Sequence, residues 1–179
     1  MNNQTITAES YTPKQSKHGL FTAYCELTKI KLSLLVVMST AVAFVMASEL
    51  GIEWLVLLWT VIGTTLSAAA AAVWNQLIER KRDAVMDRTK NRPIPTGRIS
   101  SMHAFITATL LTYAGLSVLA FGANPSAAGI SLLTLLTYLF IYTPLKPQTT
   151  FNTFVGAVVG AFPPLLGWVA ATGTLSGGA

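Results

Sequence analysis

An all-α bundle of membrane-spanning helices is the fold this sequence predicts, and three observations predict it. Apolar residues make up 52% of the 179 positions and charged residues only 11%, against about a quarter charged in an ordinary soluble domain. The apolar residues gather into five runs, each near the roughly 17–25 residues needed to cross a bilayer. All 12 lysines and arginines fall in the N-terminal part, in the stretch 79–98, or in the loop holding Lys146. Those are alternate connections between the runs. The class is therefore a polytopic membrane helix bundle with five predicted transmembrane helices.

Residues 1–20 are polar and rich in Thr, Ser, Asn and Gln, with Pro13 among them, and are expected to form a disordered cytoplasmic tail ahead of a membrane domain over 21–179. About thirty residues precede the first apolar run and no cleavage box follows it cleanly, which speaks against a signal peptide. That first run, Leu32–Ser48, spans if Lys29 and Lys31 extend their stems to the interface. Glu49 and Glu53 bracket a short outer loop. The second run goes from Trp54 to about Ile78, the third covers Met102–Ala123, the fourth covers Ser126–Thr143 and stops at Pro144, and the fifth covers Phe151–Gly173. Pro163 and Pro164 each lack a backbone donor and are expected to kink or break the fifth span, while Gly156, Gly160 and Gly167 allow close approach or leave room for a cavity. Trp54, Trp59, Trp74 and Trp168 read as interfacial anchors. By the bias of Lys and Arg toward the inner face, the N-terminus and the 75–97 stretch face the cytoplasm and Ala179 faces out.

The chemistry is concentrated in Trp74–Gly97. If Ala68–Val85 is one helix, Asn75, Glu79, Asp83 and Asp87 recur every four residues and form an oxygen-rich stripe. Arg80, Lys81, Arg82 and Arg88 are interleaved with it. Such a mixture is also what a solvated loop shows, with acids and bases pairing along a helix. The stripe begins inside an apolar segment, however, and polar groups at membrane depth usually face a cavity or pathway. Carboxylate oxygens at this spacing suit a hard divalent cation, which commonly shares its coordination with substrate phosphates, and guanidinium groups suit the phosphate oxygens. A greasy chamber with such a mouth calls for an amphiphile with an anionic head, and a lipid-tailed diphosphate fits both halves. The net charge of +5 reflects membrane-flanking bases, so nucleic acid is not an expected partner. Cys25 excludes a disulfide framework and reads as a structural thiol; His103 reads as interfacial, and His18 carries no signal.

The stretch WNQLIERKRDAVMDRTKNRPIPTGRIS resembles the first aspartate-rich motif, N-x-x-x-D-x-x-x-D, of the UbiA superfamily of membrane prenyltransferases. Its continuation through Asp83, Met86, Arg88, Thr89, Arg92, Pro93, Pro95 and Gly97 is similar to the protoheme IX farnesyltransferase (haem O synthase) family within it. Leu27-Thr28-Lys29-Ile30-Lys31, and Tyr142-Thr-Pro-Leu-Lys146 with the Thr149–Thr153 stretch and GAFPPLLGWVAATGTLS, agree in order and spacing. Glu79 stands where the family usually has Asp, Lys31 where it often has Arg, and Pro147-Gln148 where a base is typical. The resemblance implies that the chain is the N-terminal part of a nine-helix UbiA-type fold, with a second aspartate motif beyond residue 179. It implies Mg2+-dependent transfer of a farnesyl group from farnesyl diphosphate to a vinyl group of protoheme IX, converting haem B to haem O. Asn75, Glu79 and Asp83 would be the catalytic residues that hold Mg2+. Lys31, Arg80, Arg88, Arg92, Tyr142 and Lys146 would contact the diphosphate. A multi-pass protein of the inner (plasma) membrane is implied, with a haem A synthase or oxidase-assembly partner. The alternatives are a UbiA-type enzyme acting on an aromatic quinone precursor and a catalytically incomplete membrane fragment or subunit.

Overall fold

The computed structural model describes residues 19–49 and 51–175, and every regular element among them is helical. The expected tail therefore lies outside the described residues up to position 18. The elements are α1 (Leu20–Leu27), α2 (Ile30–Ala47), α3 (Trp54–Asp83), α4 (Ser101–Gly122), α5 (Pro125–Leu136), a π-helical turn (Thr137–Tyr142), α6 (Thr143–Leu145) and α7 (Asn152–Thr172). Five of the resulting helices are long and apolar enough to cross a membrane: α2, α3, α4, the continuous run Pro125–Leu145, and α7. This is a multi-pass membrane protein. Between 22% and 33% of the residues in each spanning window are buried inside the bundle, and Leu34, Met38, Leu110, Tyr113 and Phe140 point outward. That leaves a surface fit for lipid.

With no hydrophobic drive between helices in a bilayer, association rests on close packing and hydrogen bonds, and small residues provide the approach. A Cβ on Gly63 would sit 2.6 Å from Leu119, and one on Gly115 would sit 2.6 Å from Ser67 Oγ, so α3 and α4 meet nearly backbone to backbone. Gly167 does the same for α7 on α2, where an added Cβ would collide with the Thr40 carbonyl. Trp74, expected at an interface, instead donates from Nε1 to Thr112 Oγ1 (3.1 Å) and packs edge-on to Phe105, joining α3 to α4.

Local chemistry sets the ends. Ser100 caps α4 by accepting from the His103 N–H, and Asn124 caps α5 by accepting from the Ala127 N–H ahead of Pro125, as short polar side chains commonly do. The Asn124 amide also donates to the carbonyl of Val169 (2.9 Å), tying α5 to the end of α7. Two sequence expectations are corrected here. α7 runs unbroken through Pro163 and Pro164, so the pair does not end the span; beside it Thr40 Oγ1 donates to the Pro163 carbonyl at 3.1 Å and ties α2 to α7. The fourth span passes Pro144 and ends at Leu145. Pro144 lacks the N–H that an α-helix would aim at the Phe140 carbonyl, and the helix widens to a π turn just before it.

Candidate functional site

α3 carries the site on its last three turns. Asn75, Glu79 and Asp83 are 2%, 6% and 3% exposed, which shows that the fourfold spacing points inward. The stripe ends there. α3 stops at Asp83, whose carbonyl accepts from Thr89 Oγ1 (3.2 Å), so Asp87 falls on the following connection. It pairs there with Lys90 at 2.7 Å rather than with Arg88 or Arg92. A hydrogen bond from Lys90, then its charge, holds the Asp87 carboxyl below the ordinary carboxylate range.

Each of the three inward oxygen groups faces a cation. Arg92 Nη1 lies 2.6 Å from Asp83 Oδ2 and 3.9 Å from Glu79 Oε2. Lys146 Nζ lies 3.4 Å from Glu79 Oε1. Lys29 Nζ donates to Asn75 Oδ1 at 3.0 Å. The other end of the Asn75 amide donates to Thr143 Oγ1 (3.4 Å), which in turn donates to the Tyr138 carbonyl (2.8 Å). Both ends of the amide are thereby committed, and its oxygen is oriented by contacts on two sides.

The cations are placed by what surrounds them. Arg92 sits nine residues past Asp83 yet reaches back to it, because the connection between α3 and α4 is a compact series of turns. Ile94 and Ile99 of that connection are buried in one cluster with Ala23, Leu27, Val73, Leu77, Ala104 and Ala108. Lys29 is held at the corner between α1 and α2 in the left-handed region, φ +48°. Burial holds the Lys29 ammonium below its ordinary pKa, with Arg92 next in effect and Lys146 adding; Glu79 and Asp83 oppose them.

Beside this cluster opens a cavity of about 620 Å3, within the 300–1,000 Å3 usual for a small-molecule site. Its mouth is lined by Lys29, Asn75, Arg88, Arg92, Tyr142 and Lys146, and its body by Leu32, Leu35, Val36, Ala68, Ala71, Ala72, Leu135 and Leu166 among others. Glu79 and Asp83 lie behind the wall, covered by Arg92 and Lys146. Tyr142 stacks on Tyr138 with ring centroids 5.5 Å apart, and both lie on the π turn, a feature often found at functional sites. The α7 glycines divide by role. Gly156 faces the Tyr142 ring and Gly160 faces open space, both lining the cavity, whereas Gly167 serves packing. The missing N–H groups of Pro163 and Pro164 are those that would bond the carbonyls of Val159 and Gly160, and both of those residues also line the cavity.

Of the residues singled out from sequence, Asn75, Glu79, Asp83, Arg88, Arg92, Tyr142 and Lys146 come together. Lys31 and Arg80 do not. Both are exposed and outside the cavity lining, and the Arg80 guanidinium donates to the Leu77 carbonyl (3.0 Å), where a cation complements the C-terminal end of the helix. Lys29 occupies the place expected of Lys31. Sequence reasoning treated Lys29 as an interfacial stem, and the one available signal was its nearness to Lys31 in the same basic pair. Among the described residues no three His, Cys, Asp or Glu side chains converge as a metal cluster. Two carboxylates and an amide oxygen remain, a hard-oxygen set that fits Mg2+ if phosphate oxygens complete the coordination.

The family model for the UbiA prenyltransferase family matches residues 36–179. The chain is 44% identical over 160 residues to protoheme IX farnesyltransferase, mitochondrial, of Arabidopsis thaliana, covering 89% of this chain and 37% of that protein. It is 43% identical over 162 residues to protoheme IX farnesyltransferase of Ectopseudomonas mendocina (90% and 54%). To the mitochondrial protein of that name from Homo sapiens it is 45% identical over 153 residues (86% and 34%). The chain thus spans between about a third and about half the length of these relatives. Two solved structures share the fold. One comes from work on digeranylgeranylglyceryl phosphate synthase in membranes, with a TM-score of 0.78 and 21% identity over 86% of this chain and 54% of that one. The other is a UbiA homolog from Archaeoglobus fulgidus bound to DMAPP and Mg2+, with a TM-score of 0.74 and 17% identity over 86% and 55%.

Proposed function

The chain belongs to the UbiA prenyltransferase family, and we propose that it forms the diphosphate-holding half of an enzyme that transfers a farnesyl group from farnesyl diphosphate to a vinyl group of protoheme IX. The observation that carries this reading is the set of three buried oxygen groups, each covered by its own cation, at the mouth of an apolar cavity. The names of the relatives support the acceptor and the prenyl length.

Asn75, Glu79 and Asp83 would hold Mg2+, whose charge stabilises the oxygens of a departing diphosphate. All three oxygen groups are already paired, so Lys29, Lys146 and Arg92 must turn away from Asn75, Glu79 and Asp83 as the substrate head arrives. The same three side chains, with Arg88, then contact the diphosphate, and positive charge passes from neutralising the oxygen groups to neutralising the leaving group. Tyr142 closes the mouth side of the cavity, and the apolar body holds the prenyl chain away from water. A bond forms between the vinyl terminus of the porphyrin and C1 of the prenyl chain while the C1–O bond to diphosphate breaks. Water then adds to the adjacent carbon with loss of a proton, giving the hydroxyethylfarnesyl group of haem O. The reading further places the protein in the inner (plasma) membrane with its N-terminus and the 84–100 connection in the cytoplasm. The product would pass to a haem A synthase or an oxidase-assembly partner.

The test is to incubate membranes carrying the chain, alone and co-expressed with the C-terminal half of the Ectopseudomonas relative, with haem B, farnesyl diphosphate and Mg2+. Haem O is then sought by mass. Haem O formed by the two halves together, and lost with Asp83→Asn, is the expected result. Prenylation of a hydroxybenzoate in place of haem moves the assignment to quinone-precursor transfer, and no product with either acceptor overturns it. Orientation is read separately with a membrane-impermeant maleimide on intact cells, where Glu53→Cys labels at once and Asn91→Cys labels only after permeabilisation.

A further inference from the structure

We infer that Gln76 is a positioning residue: its carboxamide holds the corner between α1 and α2 so that the Lys29 ammonium is delivered to the cavity mouth, where it meets the anionic head of the substrate. The positioning stands on geometry alone; the substrate contact rests on the function proposed above.

Gln76 follows Asn75 on α3, about 100° further round the helix, so the two side chains serve different neighbours. Asn75 faces the cavity. Gln76 is 1% exposed and donates from Nε2 to the carbonyls of Leu27 (2.9 Å) and Glu26 (3.2 Å). Those carbonyls end α1 and have no donors within their own helix. The chain then turns through Thr28 and Lys29, with Lys29 left-handed at φ +48° and no glycine to ease it. A non-glycine residue stays in that region only where its surroundings over-determine it.

Here the surroundings are specific. Thr28 Oγ1 donates to the Tyr24 carbonyl (3.0 Å) and Ser33 Oγ donates to the Thr28 carbonyl (3.0 Å). Both of these bonds lie within the α1–α2 segment. The Gln76 pair comes from α3, and it ties the corner to the helix that carries Asn75. One turn of α3 thus presents the oxygen that Lys29 meets, at 3.0 Å, and the donor that fixes where Lys29 starts. The Gln76 Oε1 atom is buried without a partner, and Gln76 lies on α3 between Val73 and Leu77, which are buried in one apolar cluster with Leu27. Apolar surroundings alone would favour a leucine there, so the residue is present for its donors.

The experiment uses the chain in lipid nanodiscs, as wild type and as Gln76→Leu and Gln76→Met. Brief acetylation with acetic anhydride, read by peptide mass spectrometry, gives the rate at Lys29 relative to the exposed Lys31. At least a threefold rise in that ratio in both variants, with the thermal transition retained, is expected. An unchanged ratio overturns the positioning, and so does global unfolding of both variants, since the residue would then hold the fold and not the corner. A second measurement reads the affinity for Mg2+-pyrophosphate in wild type, Gln76→Leu, Lys29→Ala and the double variant. Each single change should weaken binding about tenfold and the double no further than Lys29→Ala, as for residues acting through one contact. Additive losses overturn the coupling. A wild type that binds no pyrophosphate overturns the proposed function, while the labelling ratio still decides the positioning.

Discussion

The two ends of α3 belong to one 30-residue helix and handle polarity in opposite ways. In the half toward Trp54, no hydroxyl bonds another helix among the described residues: Thr60 donates to the Val56 carbonyl and Thr65 to the Val61 carbonyl, while those of Thr64 and Ser67 are buried without a partner. Contact with other helices there is made by what is missing from Gly63 and Gly115. In the half toward Asp83, the polar side chains reach across the chain, Asn75 to Lys29 and Thr143, Gln76 to α1, Glu79 to Lys146. The first half is a packing surface that needs small volume. The second needs particular atoms, because a buried carboxylate without a partner is costly.

The sharpest way to break this contrast is at the polar end. Asp83→Asn or Asn75→Ala keeps the approximate shape of the helix, so insertion should be unchanged while turnover of the assembled enzyme falls roughly a thousandfold. Equal activity in both variants, by the haem O assay, would remove the site. At the packing end, Gly167→Val drives a side chain into the Thr40 carbonyl and should cost about 2–3 kcal/mol of stability. It should appear as a lowered thermal midpoint in detergent, with pyrophosphate affinity kept in the fraction that stays folded. A smaller effect separates neighbours in sequence. Lys29→Ala should weaken pyrophosphate binding about tenfold, the scale of one charge-assisted hydrogen bond; Lys31→Ala and Arg80→Ala should change it by less than about twofold. The smallest effect belongs to Asp87. Its carboxyl titrates below the ordinary value, so its pairing with Lys90 contributes above the ordinary carboxylate pKa and is lost as pH falls through the lowered one. Full exposure leaves little to lose, and Asp87→Asn should leave the acid side of the thermal midpoint curve unchanged.

Much of the site was legible because it obeys helical spacing. Asn75, Glu79 and Asp83 could be read as one face, and Arg92, Tyr142 and Lys146 through the stretches that resemble the family. The spacing does not carry past the helix end, so Asp87 leaves the stripe, and sequence does not separate Lys31 and Arg80 from the bases that line the cavity. Helix α1 went unread, since eight residues beside a polar tail give no spanning signal. The three α7 glycines look alike in sequence and differ only in what stands opposite them.

Composition and periodicity alone determined that five helices among the described residues are long and apolar enough to cross a membrane and that an acidic face emerges at one end of the second of them. Both follow from local facts, the cost of exposing apolar surface and the 3.6-residue turn of a helix. Which cation meets which oxygen was decided only in three dimensions. A left-handed corner at Lys29, a turn that swings Arg92 back to Asp83, and a π turn before Pro144 each depend on contacts between residues distant in the chain. No local pattern encodes a distance between two helices; only their packing does.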